Sequence, residues 1–290
     1  MASLESKSKL LFSFLCCILC ASCEKHESES LSKNLTVKKA DFTICAPDQA
    51  VDKKECISSS EILSDIYKLS ELTNGVGVTE QGIVSVTHAI QYKDKTDLYA
   101  IFLTQLNEFQ NGAASDCHAC GAALGIVVYQ SHNGWKLFAA APVVVKDLGS
   151  WGRTFNGDVD IRSTGPEELY VMLKNGYMAQ GYESEEMNFI SIHGNSDAYE
   201  KSNIQYMGGL EIGSDNCGGN DGEGTSWEGV NIRIQKPNAK LLISYDKNQI
   251  ACGDNNDRKI ISSAPVTYVY DWAAKKFTLQ EQGSSGANNN

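Results

Sequence analysis

Cys117-His118-Ala119-Cys120 is the most compact chemical signal in the sequence. Two thiols at this spacing can close a small disulfide, exchange as a redox dithiol with His118 lowering a thiolate pKa, or supply half of a zinc site. The flanking residues weigh among these. A thioredoxin-like dithiol sits at a strand-to-helix turn, whereas Gly121 to Val128 runs on as an apolar strand. A c-type haem needs His directly after the second Cys, where Gly121 stands, and zinc needs a further ligand pair that no second Cys-x-x-Cys provides. The expected role is a small disulfide clamping the turn before a strand. The enzyme alternative is a periplasmic thiol oxidoreductase using Cys117 and Cys120.

A second cluster is acidic. Asp215, Asn220, Asp221 and Glu223 concentrate oxygen ligands on a Gly-rich stretch, and Asp254 and Asp257 follow Cys252. Hard Ca²⁺ asks for such oxygens, here as a stabilising ion, although the EF-hand register is absent and the same residues are ordinary turn formers. No other cofactor is expected. His88 alternates with apolar residues and reads as a satisfied core histidine, His132 as exposed, and His193 as the end of a strand. Neither Gly-x-Ser-x-Gly nor His-Glu-x-x-His nor a phosphate-binding glycine loop occurs, and no catalytic residue is assigned. Trp135, Trp151, Trp227, Trp272 and the tyrosines could line a sugar- or peptide-binding face, or fill a sheet core.

The elements that must carry these residues are mostly strands. Asn133-Gly134 between apolar runs predicts a hairpin, since both residues tolerate positive φ. Ser58 and Glu61 stand at capping-box spacing, and Ile62, Leu63, Ile66, Leu69 and Leu72 recur at helical intervals until Asn74-Gly75. Val84, Val86, His88, Ile90 and Tyr92 alternate as one face of a strand, and residues 98–106 return beside it. Beyond Lys146 come short strands separated by turns, with a second Asn-Gly hairpin expected at Asn175-Gly176 and turns at 236–239 and 271–274. The fold expected is mainly β (α+β): an N-terminal helix packed on an antiparallel sheet, followed by a β-sandwich or barrel-like meander. The divisions are 1–22 signal peptide, 23–39 flexible tether, 40–146 α+β lobe, 147–281 β-rich lobe abutting the first, and 282–290 disordered tail.

The export reading comes from the first residues. Lys7 and Lys9 precede an apolar run from Leu10 to Leu19, a signal-peptide core too short to span a bilayer comfortably. Net charge is −11, and residues 1–22 hold Lys7 and Lys9 against Glu5, so the remainder carries −12. Such a balance repels nucleic acid and anionic headgroups, and no nucleic-acid partner is expected. Cys45, Cys56, Cys117, Cys120, Cys217 and Cys252 are an even set in an exported chain and read as disulfides. Many connectivities are open. The simplest pairs sequence neighbours, with closure of the Cys217 to Cys252 loop contributing about 4 kcal/mol and the Cys117 to Cys120 ring about 2 kcal/mol.

Ala21-Ser22-Cys23 resembles the end of a bacterial lipoprotein signal, with Cys20 where Leu is usual. The resemblance implies that Cys23 is lipidated and becomes the N-terminus, and, without Asp after it, that the chain reaches the outer membrane of a Gram-negative cell. Simple cleavage and secretion is the alternative. Cys-His-Ala-Cys, a short apolar strand, Trp-x-Leu and a later Asp-Asn-Cys are similar to a class of uncharacterised exported bacterial proteins, over residues 116–217. That class implies no activity. The expectation is an exported, lipid-anchored envelope protein of binding or structural type. Its partners are the membrane, through the lipid, and an unknown protein or small-molecule ligand.

Overall fold

Runs in which every second residue is apolar bury one face of a strand, and runs apolar throughout bury both. The chain holds both kinds, and a computed structural model shows where each goes. It describes residues 42–45, 56–69, 72–73, 75–94, 97–114, 120–131, 134–150, 152–155, 157–165, 167–179, 182–194, 203–217, 225–252 and 258–280. The signal, the tether, Cys23 and the C-terminal tail lie outside the described residues.

Strands β1 (Thr43–Cys45) and β2 (Cys56–Ser58) make a ribbon joined by a Cys45–Cys56 disulfide. Helix α1 (Ser59–Tyr67) follows at once, started by a capping box: the Glu61 N–H donates to Ser58 Oγ at 3.2 Å, and the Ser58 N–H donates to Glu61 Oε2 at 2.8 Å. It ends at Lys68 with φ 57. The stripe expected to reach Leu72 therefore stops short. Leu72 and Thr73 are instead drawn into β3 (Leu72–Thr73), whose ladder with β4 (Val76–Val78) satisfies their backbone groups.

The first sheet continues through β5 (Gly82–Lys93), β6 (Leu98–Gln110), β8 (Ala122–Ser131) and β9 (Trp135–Leu148), with β7 (Ala113–Ala114) paired to β6 alone. Residues 98–103 and 122–128 are apolar throughout because both faces of β6 and β8 are covered. On one face, Phe102, Val127 and Ala140 pack with Ile62 and Leu63 of α1; on the other, Ile101, Leu103, Leu124 and Ile126 meet the second sheet. In β5 the register shifts between Val86 and His88, a bulge at Thr87, whose hydroxyl donates to Leu103 O at 3.2 Å. One inserted residue exchanges the faces. Val84 and Val86 go to the helix side while Ile90 and Tyr92 go to the inter-sheet side, so the single face expected of residues 84–92 is split in two.

Gly125 in β8 makes room for a polar insertion. The Tyr67 hydroxyl donates to Pro142 O at 2.7 Å and lies 2.6 Å from Thr104 Oγ1, and burial pushes its pKa up to about 12. A Cβ on Gly125 would lie 2.3 Å from Thr104 Oγ1 and 2.5 Å from Pro142 O. Gly125→Ala is expected to lower stability by about 1–3 kcal/mol by forcing these atoms apart; unchanged urea denaturation would show that the site relaxes freely.

The second sheet is a meander in chain order: β10 (Val159–Gly165), β11 (Glu168–Ala179), β12 (Tyr182–His193), β13 (Ile204–Asp215), β14 (Thr225–Gln235), β15 (Leu242–Cys252), β16 (Arg258–Asp271) and β17 (Lys276–Leu279). It is antiparallel throughout, and among the described residues β10 and β17 do not pair, so the barrel-like alternative is not what forms. Strands β13 and β14 meet at only Gly213↔Glu228 and Ser214↔Trp227. From that corner the sheet turns back on itself. Phe189 and Phe277 approach to 5.2 Å between centroids, Gln205 Nε2 donates to the Tyr270 hydroxyl at 3.2 Å, and the Tyr245 hydroxyl donates to Glu211 O at 3.3 Å. Between the two halves lie Tyr170, Met172, Met207, Leu241 and Ile243.

Asn175-Gly176 is not a hairpin turn. Both residues lie within β11, opposite Glu186 and Glu185 of β12. A ladder prolonged past them pairs more backbone groups than a turn there would, and local turn chemistry yields to it.

Lys39–Asn290 form one compact unit. Its Cys45–Cys56 and Cys217–Cys252 disulfides mark a chain that matures in an oxidising compartment, outside the cytosol. No helix among the described residues is long and apolar enough to cross a membrane.

Candidate functional site

The inter-sheet core runs out along β11 and β12, and a groove begins where it stops. On β11, Leu169, Val171 and Leu173 face the first sheet, and the same alternation continues to Asn175 and Tyr177. On the neighbouring β12, Ile192 and Ile190 are followed on that side by Asn188 and Glu186. Apolar residues give way to polar ones on one continuous face. The result is a cavity of about 800 Å³ bounded by these strands, by Tyr206 of β13, by Asp147 and Leu148 at the end of β9, and by Gly149, Ser150, Arg153 and Phe155 beyond it.

The wall formed by Gly149, Ser150, Arg153 and Phe155 is held from beneath. Gly149 has φ +81, and a Cβ there would lie 2.1 Å from Arg153 O, so only glycine lets the loop close on itself. Gln105 of β6 clasps the loop with both ends of its amide: Nε2 donates to Gly152 O at 2.6 Å, and Oε1 accepts from Thr154 N at 3.3 Å. The Gly152 N–H donates to Cys120 O at 2.8 Å. Cys120 is itself disulfide-bonded and leads directly into β8, a strand with no helix N-terminus to stabilise a thiolate. Its backbone thus supports the groove; Cys117 and His118 lie outside the described residues. Phe155 lines the cavity and also packs on the His88 ring, 4.8 Å between centroids.

At the floor, the Tyr206 hydroxyl donates to Asn188 Oδ1 at 2.6 Å. Burial, with the Glu186 charge adding to it, pushes the Tyr206 phenol up to about 12, so it stays protonated and keeps donating. Asn188 is 0% exposed, and its Nδ2 has no hydrogen-bond partner among the described residues. An unmatched buried donor costs about 1–3 kcal/mol, so stability alone does not account for an amide here. The cavity is also lined by Tyr177, 53% exposed, by the acidic residues Asp147 and Glu186, and by Arg153.

The other residues singled out in the sequence sit elsewhere. Asp215 is engaged on both oxygens, Oδ1 accepting from Cys217 N at 2.8 Å and Oδ2 paired with Arg258. Its five companion calcium candidates, Asn220, Asp221, Glu223, Asp254 and Asp257, lie outside the described residues, as do His132 and Trp151. Trp227, Tyr245 and Tyr268 stack across β14, β15 and β16 at 6.4 and 6.3 Å as part of the core, and Trp135 packs on the helix side. His88 is not the satisfied core histidine expected: its buried Nδ1 has no hydrogen-bond partner among the described residues, and beyond the bulge its ring packs on Phe155.

His193 belongs to a cluster around Glu168. Glu168 Oε1 pairs with Lys236 and accepts from the Tyr170 hydroxyl at 3.0 Å, Oε2 accepts from Thr164 at 2.6 Å, and His193 Nδ1 lies 3.6 Å away. The pair ties β11 to the segment after β14, across the folded-over sheet. Burial by itself would raise the Glu168 carboxyl, but the hydrogen bonds from Lys236, Thr164 and Tyr170 and the Lys236 charge outweigh it, and its pKa is lowered. Stability from this group is present above the unfolded value of about 4.3 and is lost as pH falls through the folded value.

Acid sensitivity begins earlier, through the histidines. Burial lowers the pKa of both His88 and His193, in His193 with the Lys236 charge adding to it and Glu168 opposing. The unfolded chain therefore takes up protons first. Stability is intact above about pH 6.5 and declines as pH drops from there toward the folded values. The expected Tm falls as pH drops below about 6.5, and His88→Leu flattens part of that slope. A wild-type Tm level across this range would show that neither imidazole is held neutral.

The groove residues Asp147, Arg153, Glu186, Asn188 and Tyr206 carry no motif and were not found by sequence reasoning. The available signal was the change from Ile to Asn and Glu along one face of β12.

Fold and groove define a layered antiparallel β protein with a groove between its sheets. No protein-family model matches this sequence, and no curated protein matches it. Among solved structures it aligns with a GH32 beta-fructofuranosidase of Bombyx mori at 11% identity and a TM-score of 0.28, covering 71% of this chain and 38% of that one. A likeness of that extent defines neither fold nor activity.

Proposed function

We propose that this chain is an exported envelope protein of the binding type, anchored in the outer membrane through a lipid on Cys23, that holds a small-molecule ligand in the groove between its sheets. The observation that carries the binding reading is the conversion of one continuous sheet face from apolar core to a polar cavity of about 800 Å³, within the ~300–1,000 Å³ usual for ligand sites. The disulfides and the signal-like N-terminus support export, and Ala21-Ser22-Cys23 supports the anchor.

Ligands that bind only the folded chain raise its melting temperature. Screening the mature protein against a broad metabolite collection is expected to yield compounds that raise Tm, with the rise abolished in Glu186→Ala. No rise with any compound would sink the binding reading. For the anchor, Cys23→Ala is expected to move the protein from the membrane fraction to the soluble one; retention in the membrane would end the lipid assignment.

A further inference from the structure

We infer that the ligand of the groove is a neutral saccharide, stacked on Tyr177 and read at the floor by Asn188; the inference rests on the groove being the binding site. The groups of the wall decide the class. Asp147 and Glu186 offer only acceptors, Arg153 only donors, and the Asn188 amide has Nδ2 unmatched while Oδ1 is already occupied by Tyr206. An anion such as a phosphate would face two carboxylates against one guanidinium. A cation would face that guanidinium, and an apolar ligand would cover these groups without pairing any of them. A sugar hydroxyl both donates and accepts, so a row of hydroxyls satisfies carboxylates and guanidinium together.

The aromatic groups fit the same ligand. Tyr177 is 53% exposed at the groove, presenting an aromatic surface against which the C–H face of a sugar ring can lie. Asn188 supplies selectivity. A buried amide whose second donor is unmatched rewards a ligand that brings an acceptor to it and rejects one that does not.

The test uses the full mature chain and isothermal titration against a panel of neutral mono-, di- and oligosaccharides, amino acids, short peptides and nucleoside monophosphates. At least one saccharide is expected to bind with Kd below about 1 mM, with Tyr177→Ala weakening it roughly tenfold or more. Asn188→Leu is expected to weaken binding by a similar factor while leaving Tm within a few degrees, a split that a merely structural asparagine would not give. If a compound of another class binds and Tyr177→Ala or Glu186→Ala weakens it, the groove stands and the saccharide assignment is overturned. If nothing binds, or binding ignores both substitutions, the groove itself is not the site. Saccharide binding unchanged in Asn188→Leu would remove Asn188 as its reader.

Discussion

Truncating Phe189 to alanine is expected to cost about 3–5 kcal/mol of unfolding free energy, the range for emptying a fully buried aromatic site. Phe189 is 0% exposed and sits on β12 where the two halves of the second sheet face each other. Its ring lies 5.2 Å from that of Phe277, tilted by 60°, and Phe277 in turn lies 5.0 Å from Tyr270. Strand β17 has four residues and among the described residues pairs with β16, and the Phe277 ring is one of its holds on the opposite half. Urea denaturation checks the magnitude. The double mutant Phe189→Ala/Phe277→Ala should lose less than the sum of the single losses, by about 0.5–1.5 kcal/mol, because the pair is counted twice in the singles. A loss below about 1 kcal/mol for Phe189→Ala would mean that the halves do not share a packed core.

Replacing both Cys217 and Cys252 by serine is expected to cost about 4 kcal/mol, from the loop closed over a sequence separation of 35. The bridge is placed where the ladder is weakest. It joins the segment after β13 to the end of β15 around β14, next to a β13–β14 pairing of two residue pairs. Arg258, half exposed at the start of β16, pairs with Asp215 beside it, and an ion pair open to solvent on one side adds little by itself. Comparing denaturation of the wild type and the double-serine chain gives the number. A difference under about 1 kcal/mol would show that the corner is fixed by packing instead.

Much of the framework was legible because its signals are local. The capping box at Ser58 and Glu61, the apolar runs of β6 and β8, the hairpin before Trp135 and the alternating strands after Lys146 follow from propensity and period, which a chain carries wherever it goes. Three local signals were overridden. Leu72 left the helical stripe for a sheet ladder, Asn175-Gly176 stayed in a strand because β12 continued beside it, and His88 lost its expected face to a bulge at Thr87. In each the competing interaction was a backbone ladder with a neighbouring strand, which local side-chain pattern does not record.

The groove shows the same division. The sequence by itself determined that this is a strand-built, cysteine-containing, acidic chain with an export-like N-terminus, because composition and short-range pattern depend on neighbours alone. Only the tertiary structure decided that Cys120 supports a loop, that Gln105 clasps it, and that Asp147, Arg153, Glu186, Asn188 and Tyr206 surround one cavity. Those residues come from β9, β12, β13 and the loop beyond β9, and no spacing records which strands will lie face to face. That choice belongs to the burial of Leu173, Ile190 and Ile101 between two sheets, where matching apolar surfaces fixed the layers and left the polar ends of the same faces to form the site.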